Sequence, residues 1–138
     1  LCDKLADLSR AAGAGLAVTP SRRTGEANVA VLGRRLAGLP ATVWDGAGEN
    51  PYFGLLGLAD ALVVTCDSVS MASEACATGK PVYIAELPGG NRKFREFHAS
   101  LRAQGMTRPL VGELESWTYV PPNDTARVAK AVLGRMGV

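Results

Sequence analysis

Four short apolar runs recur along the chain: Leu16-Ala17-Val18-Thr19, Ala41-Thr42-Val43-Trp44, Ala61-Leu62-Val63-Val64-Thr65 and Pro81-Val82-Tyr83-Ile84-Ala85. None shows the strict apolar–polar alternation of a strand with one wet face. Solid runs are what strands covered on both faces require. Longer segments with apolar residues three and four apart separate them. Strands alternating with helices close as a parallel sheet, because the crossover that returns the chain to the same end carries a helix. The expected fold is therefore α/β: a doubly wound, mostly parallel, Rossmann-like sheet with helices on both faces. The 138 residues suit a single domain, 1–138. In such a sheet ligands sit beyond the carboxyl ends of the strands, so every strand-to-helix loop lies on one rim.

The periodic segments predict helices over residues 3–12, 26–37, 52–59, 69–78, 92–104 and 124–136. The first turns Leu5, Leu8 and Ala12 inward, the second Val29, Leu32 and Leu36, and the fifth Phe94, Phe97 and Leu101. The last turns in Val128, Ala131, Val132 and Met136. Gly13-Ala14-Gly15 and Gly79 read as helix stops. Residues 107–123 read as irregular, with Leu110-Val111 and Trp117-Thr118-Tyr119-Val120 as short extended pieces.

Composition narrows the function classes. With 47% hydrophobic and 20% charged residues the chain is not a disordered one. A net charge of +2 lacks the basic stripe of a nucleic-acid binder, so no nucleic-acid partner is expected. Eleven of the 15 basic residues are Arg, the side chain suited to bidentate phosphate contacts. Cys2, Cys66, Cys76 and the single His98 form no zinc spacing, so neither a metal nor a cofactor is expected. Reduced thiols fit a cytoplasmic location. The chain opens on Leu1 in what reads as the inside of a helix, without an initiator Met, so a fragment of a longer protein is expected.

The rim loops hold the chemistry. Ser21-Arg22-Arg23-Thr24 follows the first strand and precedes a helix. Two guanidinium groups, two hydroxyls and the free N–H groups of a helix start suit the oxygens of a diphosphate. The same residues also read as a solvated Arg pair beside Thr24 as a helix cap. The second loop, Gly46-Ala47-Gly48-Glu49-Asn50-Pro51-Tyr52, is Gly-rich, and Asn50 is a further candidate contact. The third, Cys66-Asp67-Ser68-Val69-Ser70, opens a helix. Helical spacing puts Asp67, Ser70 and Glu74 on one stripe and Val69, Ala72 and Cys76 on another, toward the sheet. Ser68 and Ser70 suit a diphosphate, and Glu74 suits ribose hydroxyls. Asp67 reads as a sugar contact or a cap. Arg92 and Lys93 join the phosphate candidates where the basic helix starts at the rim.

These residues carry a resemblance. A Ser-rich loop opening a Glu-bearing helix, followed by Gly79-Lys80-Pro81-Val82, is similar to the nucleotide-sugar half of GT-B glycosyltransferases. The chain resembles more closely the plant mitochondrial-fission "elongated mitochondria" family and its bacterial relatives, a domain of unknown function. That likeness rests on Thr19-Pro20-Ser21-Arg22-Arg23-Thr24, Gly48-Glu49-Asn50-Pro51-Tyr52, Val64 through Met71, Ser73-Glu74-Ala75, Gly79 through Tyr83, Lys93 through His98 and Gly105 through Pro109.

The resemblance implies the C-terminal half of a two-domain GT-B-like protein whose other half supplies acceptor contacts and any catalytic base. It implies a nucleoside-diphosphate sugar as substrate, with Ser21, Arg22, Ser68 and Ser70 on the diphosphate, Glu74 on the ribose, and no catalytic residue identified here. Transfer would be metal-independent, a positive phosphate clamp stabilising the departing nucleotide. It also implies a membrane-peripheral acceptor, with a cytoplasmic protein membrane-associated through the other half. The competing expectation is a non-catalytic GT-B-like scaffold, since plant relatives are linked to recruiting the organelle-division machinery. A dehydrogenase is disfavoured because no GxGxxG follows a strand. An epimerase is disfavoured because Tyr52, Tyr83 and Tyr119 lack a Lys four residues on. His98 reads as a packed core residue, Lys80 as structural, and Trp44 and Trp117 as packing residues.

Overall fold

A computed structural model describes residues 1–137. The order is α1 (Cys2–Ala12), β1 (Leu16–Val18), α2 (Glu26–Arg35), β2 (Ala41–Val43), α3 (Tyr52–Leu58), β3 (Leu62–Thr65), α4 (Val69–Ala77), β4 (Val82–Ala85), α5 (Arg92–Ala103), β5 (Thr107–Pro109) and α6 (Asp124–Met136). The strands form two parallel ladders, β1–β2 and β3–β4–β5. The expected open, parallel α/β architecture is thus present, divided between a two-stranded and a three-stranded sheet.

β4 shows why the apolar runs are solid. Its four residues are all buried, and successive side chains leave opposite faces. Val82 and Ile84 enter one cluster with Val64, Ala72, Cys76, Leu101 and Met106, beneath α4 and α5. Tyr83 and Ala85 enter a second with Leu5, Leu8, Leu36 and Leu110, beneath α1 and the end of α2. Leu16, Val18 and Val43 of the first ladder pack on that second cluster as well, so it spans both ladders. Ala72, Ala75 and Cys76 are fully buried, and their small side chains let α4 lie close on the sheet.

The stretch 107–123, expected to be irregular, contributes a strand: Thr107–Pro109 pairs with β4. A Thr-Arg-Pro segment has no apolar run to announce it, and Pro109 is tolerated because β5 lies at the sheet edge. Residues 110–123 then form a strap without regular structure. The Tyr83 hydroxyl accepts from Glu115 N at 2.6 Å and donates to Glu115 O at 3.3 Å. Trp117 stands edge-on to Tyr83, with centroids 5.2 Å apart. The Tyr119 hydroxyl lies 2.7 Å from the Lys80 carbonyl and 3.1 Å from that of Cys76.

The apolar face of the last helix does not turn inward as expected. Val128, Val132 and Met136 are 56%, 48% and 69% exposed, and Ala131 is exposed too. The amphipathic pattern formed a helix, but no described residue of α6 is buried. Among the described residues no helix is long and apolar enough to cross a membrane.

Burial pushes the Cys76 thiol from about 9 up to about 11. Burial, and then the neighbouring Cys76, push Tyr119 up to about 12. The unfolded chain loses these protons at lower pH than the folded one, so it binds fewer of them in that window and stability falls as pH rises. Urea midpoints should therefore decline from about pH 9 upward, and Cys76→Ala should flatten the part of the decline below about pH 11. A profile flat to pH 11 in the parent protein would contradict the buried-thiol assignment.

Candidate functional site

Residues 19–25, 44–51, 66–68 and 86–91 follow β1 to β4. Within each ladder the parallel strands end on one side, and the reach of Arg23 to Asp67 joins the loops of the two ladders.

The first loop folds on itself. Thr24 Oγ1 accepts from Ser21 N at 3.0 Å, and Thr24 N donates to Ser21 O at 2.9 Å. The α2 cap is therefore not Thr24. It is Gly25, at φ 74°, with no side-chain cap bond, because the Thr24 hydroxyl is engaged in the turn. Ser21 and Arg22 are exposed and line a groove of about 540 Å³ together with Glu26, Val29, Trp44 and Asp45. Arg23 instead reaches the third loop: its guanidinium donates to Asp67 O at 3.2 Å and lies 3.9 Å from Asp67 Oδ2.

The second loop sets α3. Asn50 Oδ1 accepts from Tyr52 N at 3.0 Å and from Thr19 Oγ1 at 3.4 Å, joining the helix start to the end of β1. At the other end, Lys80 Nζ donates to the carbonyls of Leu56 at 2.9 Å and Gly57 at 2.6 Å. Lys80 is thus structural, as expected, and caps the exposed carbonyls of α3. The Tyr52 hydroxyl donates to Glu74 Oε2. Burial first, then the Glu74 hydrogen bond and charge, hold the Tyr52 proton well above the usual phenol range.

In the third loop Ser68 caps α4, its buried Oγ accepting from Met71 N at 3.4 Å. Ser70 and Glu74 lie exposed on α4. Asp67 is not the cap; its Oδ1 is buried without a hydrogen-bond partner among the described residues. His98, buried as expected, sets its Nε2 at 2.8 Å from Cys66 O, while Leu87 N donates to Cys66 Sγ at 3.2 Å. The third loop is thereby pinned to α5 and to the fourth loop. Arg92 pairs with Glu96 on its own helix at 2.6 Å, and Lys93 stays exposed beside it.

The structure therefore joins Arg23 to Asp67, and the helix that Asn50 starts to Glu74. It places Ser21 and Arg22 in a groove that Ser68, Ser70 and Glu74 do not line. Tyr52 is the contact that sequence reasoning missed. It lies 22 residues from Glu74, on another element, so no local spacing announces the pair. A larger groove of about 690 Å³ runs between α5 and the strap, near the start of β5, away from the rim. Its walls include Asp124 but neither Arg nor Lys, which suits a diphosphate poorly.

Comparison with known proteins gives a coherent result. The sequence profile described as mitochondrial fission ELM1 matches residues 1–136. Mitochondrial fission protein ELM1 of Arabidopsis thaliana is 48% identical over 93 residues, which cover 65% of this chain and 22% of that protein. An uncharacterized protein of Rickettsia prowazekii, RP120, is 37% identical over 88 residues, covering 61% of this chain and 25% of that protein. The matched part thus spans about a quarter of these curated relatives. No solved structure gives a significant match.

The Arg23 and Asp67 side chains are 63% and 48% exposed, so their pairing should contribute only about 0–1 kcal/mol. A double-mutant cycle with Arg23→Ala and Asp67→Asn, read by urea unfolding, should give a coupling in that range that shrinks with salt. A salt-insensitive coupling above about 2 kcal/mol would show a desolvated link instead.

Proposed function

This chain belongs to the mitochondrial fission ELM1 family, and from that premise we propose that its rim binds the diphosphate of a nucleoside-diphosphate sugar, as one half of a metal-independent, GT-B-like glycosyltransferase. The observation that carries this reading is the unpaired Arg22 guanidinium at the carboxyl end of β1, beside a Ser21 hydroxyl that lies 3.4 Å from Thr24 Oγ1. Arg22 has no hydrogen-bond or ion-pair partner among the described residues. It sits with Ser21 beside the start of α2, where no side chain caps the free N–H groups. Guanidinium, hydroxyl and amide donors at a helix start together favour phosphate oxygens. A departing nucleotide gains negative charge, which such donors stabilise in the transition state. Glu74, exposed on α4, supplies an acceptor for ribose hydroxyls on the same rim. Acceptor contacts and the catalytic base fall to the remainder of the longer protein.

Calorimetric titration of the intact protein with UDP, GDP and their sugars should detect binding. Arg22→Ala should weaken it about 10–100-fold, the value of a lost hydrogen bond to a charged group. Its urea midpoint should not move, because Arg22 is exposed. Absence of heat with every nucleotide at millimolar concentration overturns the reading.

A further inference from the structure

Glu74 stands on the exposed side of α4 and has no partner on its own helix among the described residues. A glutamate so placed would ordinarily sample several rotamers in water. Its carboxylate is held from outside, by the Tyr52 hydroxyl on Oε2. Tyr52 is in turn aimed from a fixed platform. It opens α3, whose start is fastened by Asn50 and whose carbonyl end is fastened by Lys80. The Phe53 ring packs edge-on against the phenol, with centroids 5.2 Å apart.

From this geometry we infer that Tyr52 is a positioning residue for Glu74: it holds the carboxylate by Oε2 with Oε1 open to a vicinal diol, and so sets a preference for ribose over deoxyribose. The inference rests on the nucleotide reading of the rim given above. A carboxylate offers about four lone-pair sites. The phenol takes one of them, on Oε2, and leaves Oε1 without a partner among the described residues. Because the phenol keeps its proton far into the alkaline range, it acts as a donor to Glu74 at every working pH. A diol that meets a pre-oriented acceptor avoids the cost of immobilising a flexible side chain on binding, which is worth a factor of about 2–10 in affinity. A 2′-deoxy sugar offers one hydroxyl fewer and gains less from the fixed orientation.

The test compares dissociation constants of UDP and GDP with those of their 2′-deoxy forms, by calorimetry on the intact protein, with inorganic pyrophosphate as a probe of the phosphate subsite alone. The parent protein should prefer the ribose forms. Tyr52→Phe should cut that preference about 2–10-fold while leaving pyrophosphate affinity unchanged. Glu74→Gln should also reduce the preference, and Tyr52→Phe added to Glu74→Gln should change it no further. The inference fails if Tyr52→Phe weakens ribose and deoxyribose forms equally. It fails also if that variant leaves the preference intact while Glu74→Gln removes it, in which case nucleotide binding at the rim stands without Tyr52. If neither nucleotides nor pyrophosphate bind, both the inference and the reading beneath it fall.

Discussion

The fold depends on β4 having no wet face. Four residues, all buried, divide between two apolar clusters: Val82 and Ile84 under α4 and α5, Tyr83 and Ala85 under α1 and α2. A polar substitution on either side would strand its group away from water, where an unpaired polar atom costs about 1–3 kcal/mol. The same constraint makes the strands parallel, since helical crossovers are what cover both faces. Parallel strands end together, and the shared rim follows. Arg23 and Asp67, like Tyr52 and Glu74, come from distant parts of the sequence and pair there because of how β1 to β4 are ordered.

The rim is built from a division between groups that hold the loops and groups that remain open. Ser68 caps α4, Asn50 starts α3, Thr24 closes the first turn, and His98 holds the Cys66 carbonyl. These contacts order the loops without using the guanidinium of Arg22. The Arg23–Asp67 link joins the loops after β1 and β3, yet both partners face solvent, so it steers their approach more than it stabilises the fold. What is left open at the carboxyl end of β1 is the Arg22 guanidinium, with Glu26 and Asp45 beside it in the groove, while what is left open on α4 is a carboxylate held by Tyr52.

The first four strands and the helices were legible in the sequence because burial on both faces and on one face leave different periods in the residue pattern. β5 was not: Thr107-Arg108-Pro109 has no apolar run, and it becomes a strand only because β4 offers it an edge. For α6 the periodicity of Val128, Val132 and Met136 predicted a helix correctly but not where its apolar face would lie, since amphipathicity encodes the need for a partner and not the partner. At the site, Lys80 was placed rightly by its position before β4. Thr24 was not settled, because a hydroxyl three residues from Ser21 serves a turn as readily as a cap. Tyr52 was invisible, since its link to Glu74 exists only once α3 lies against α4.

Binding of a nucleoside diphosphate at the carboxyl-end rim is tested most directly by where on the chain the protein responds to it. Backbone amide chemical shifts of the intact protein, followed while UDP or GDP is titrated, report that location residue by residue. Saturable shifts should concentrate at Ser21 to Glu26 and at Asp67 to Glu74, with the amides around Gln104 to Met106 and the strap unmoved. Saturable shifts confined to the groove between α5 and the strap, with the amides of the β1 and β3 loops silent, would contradict it.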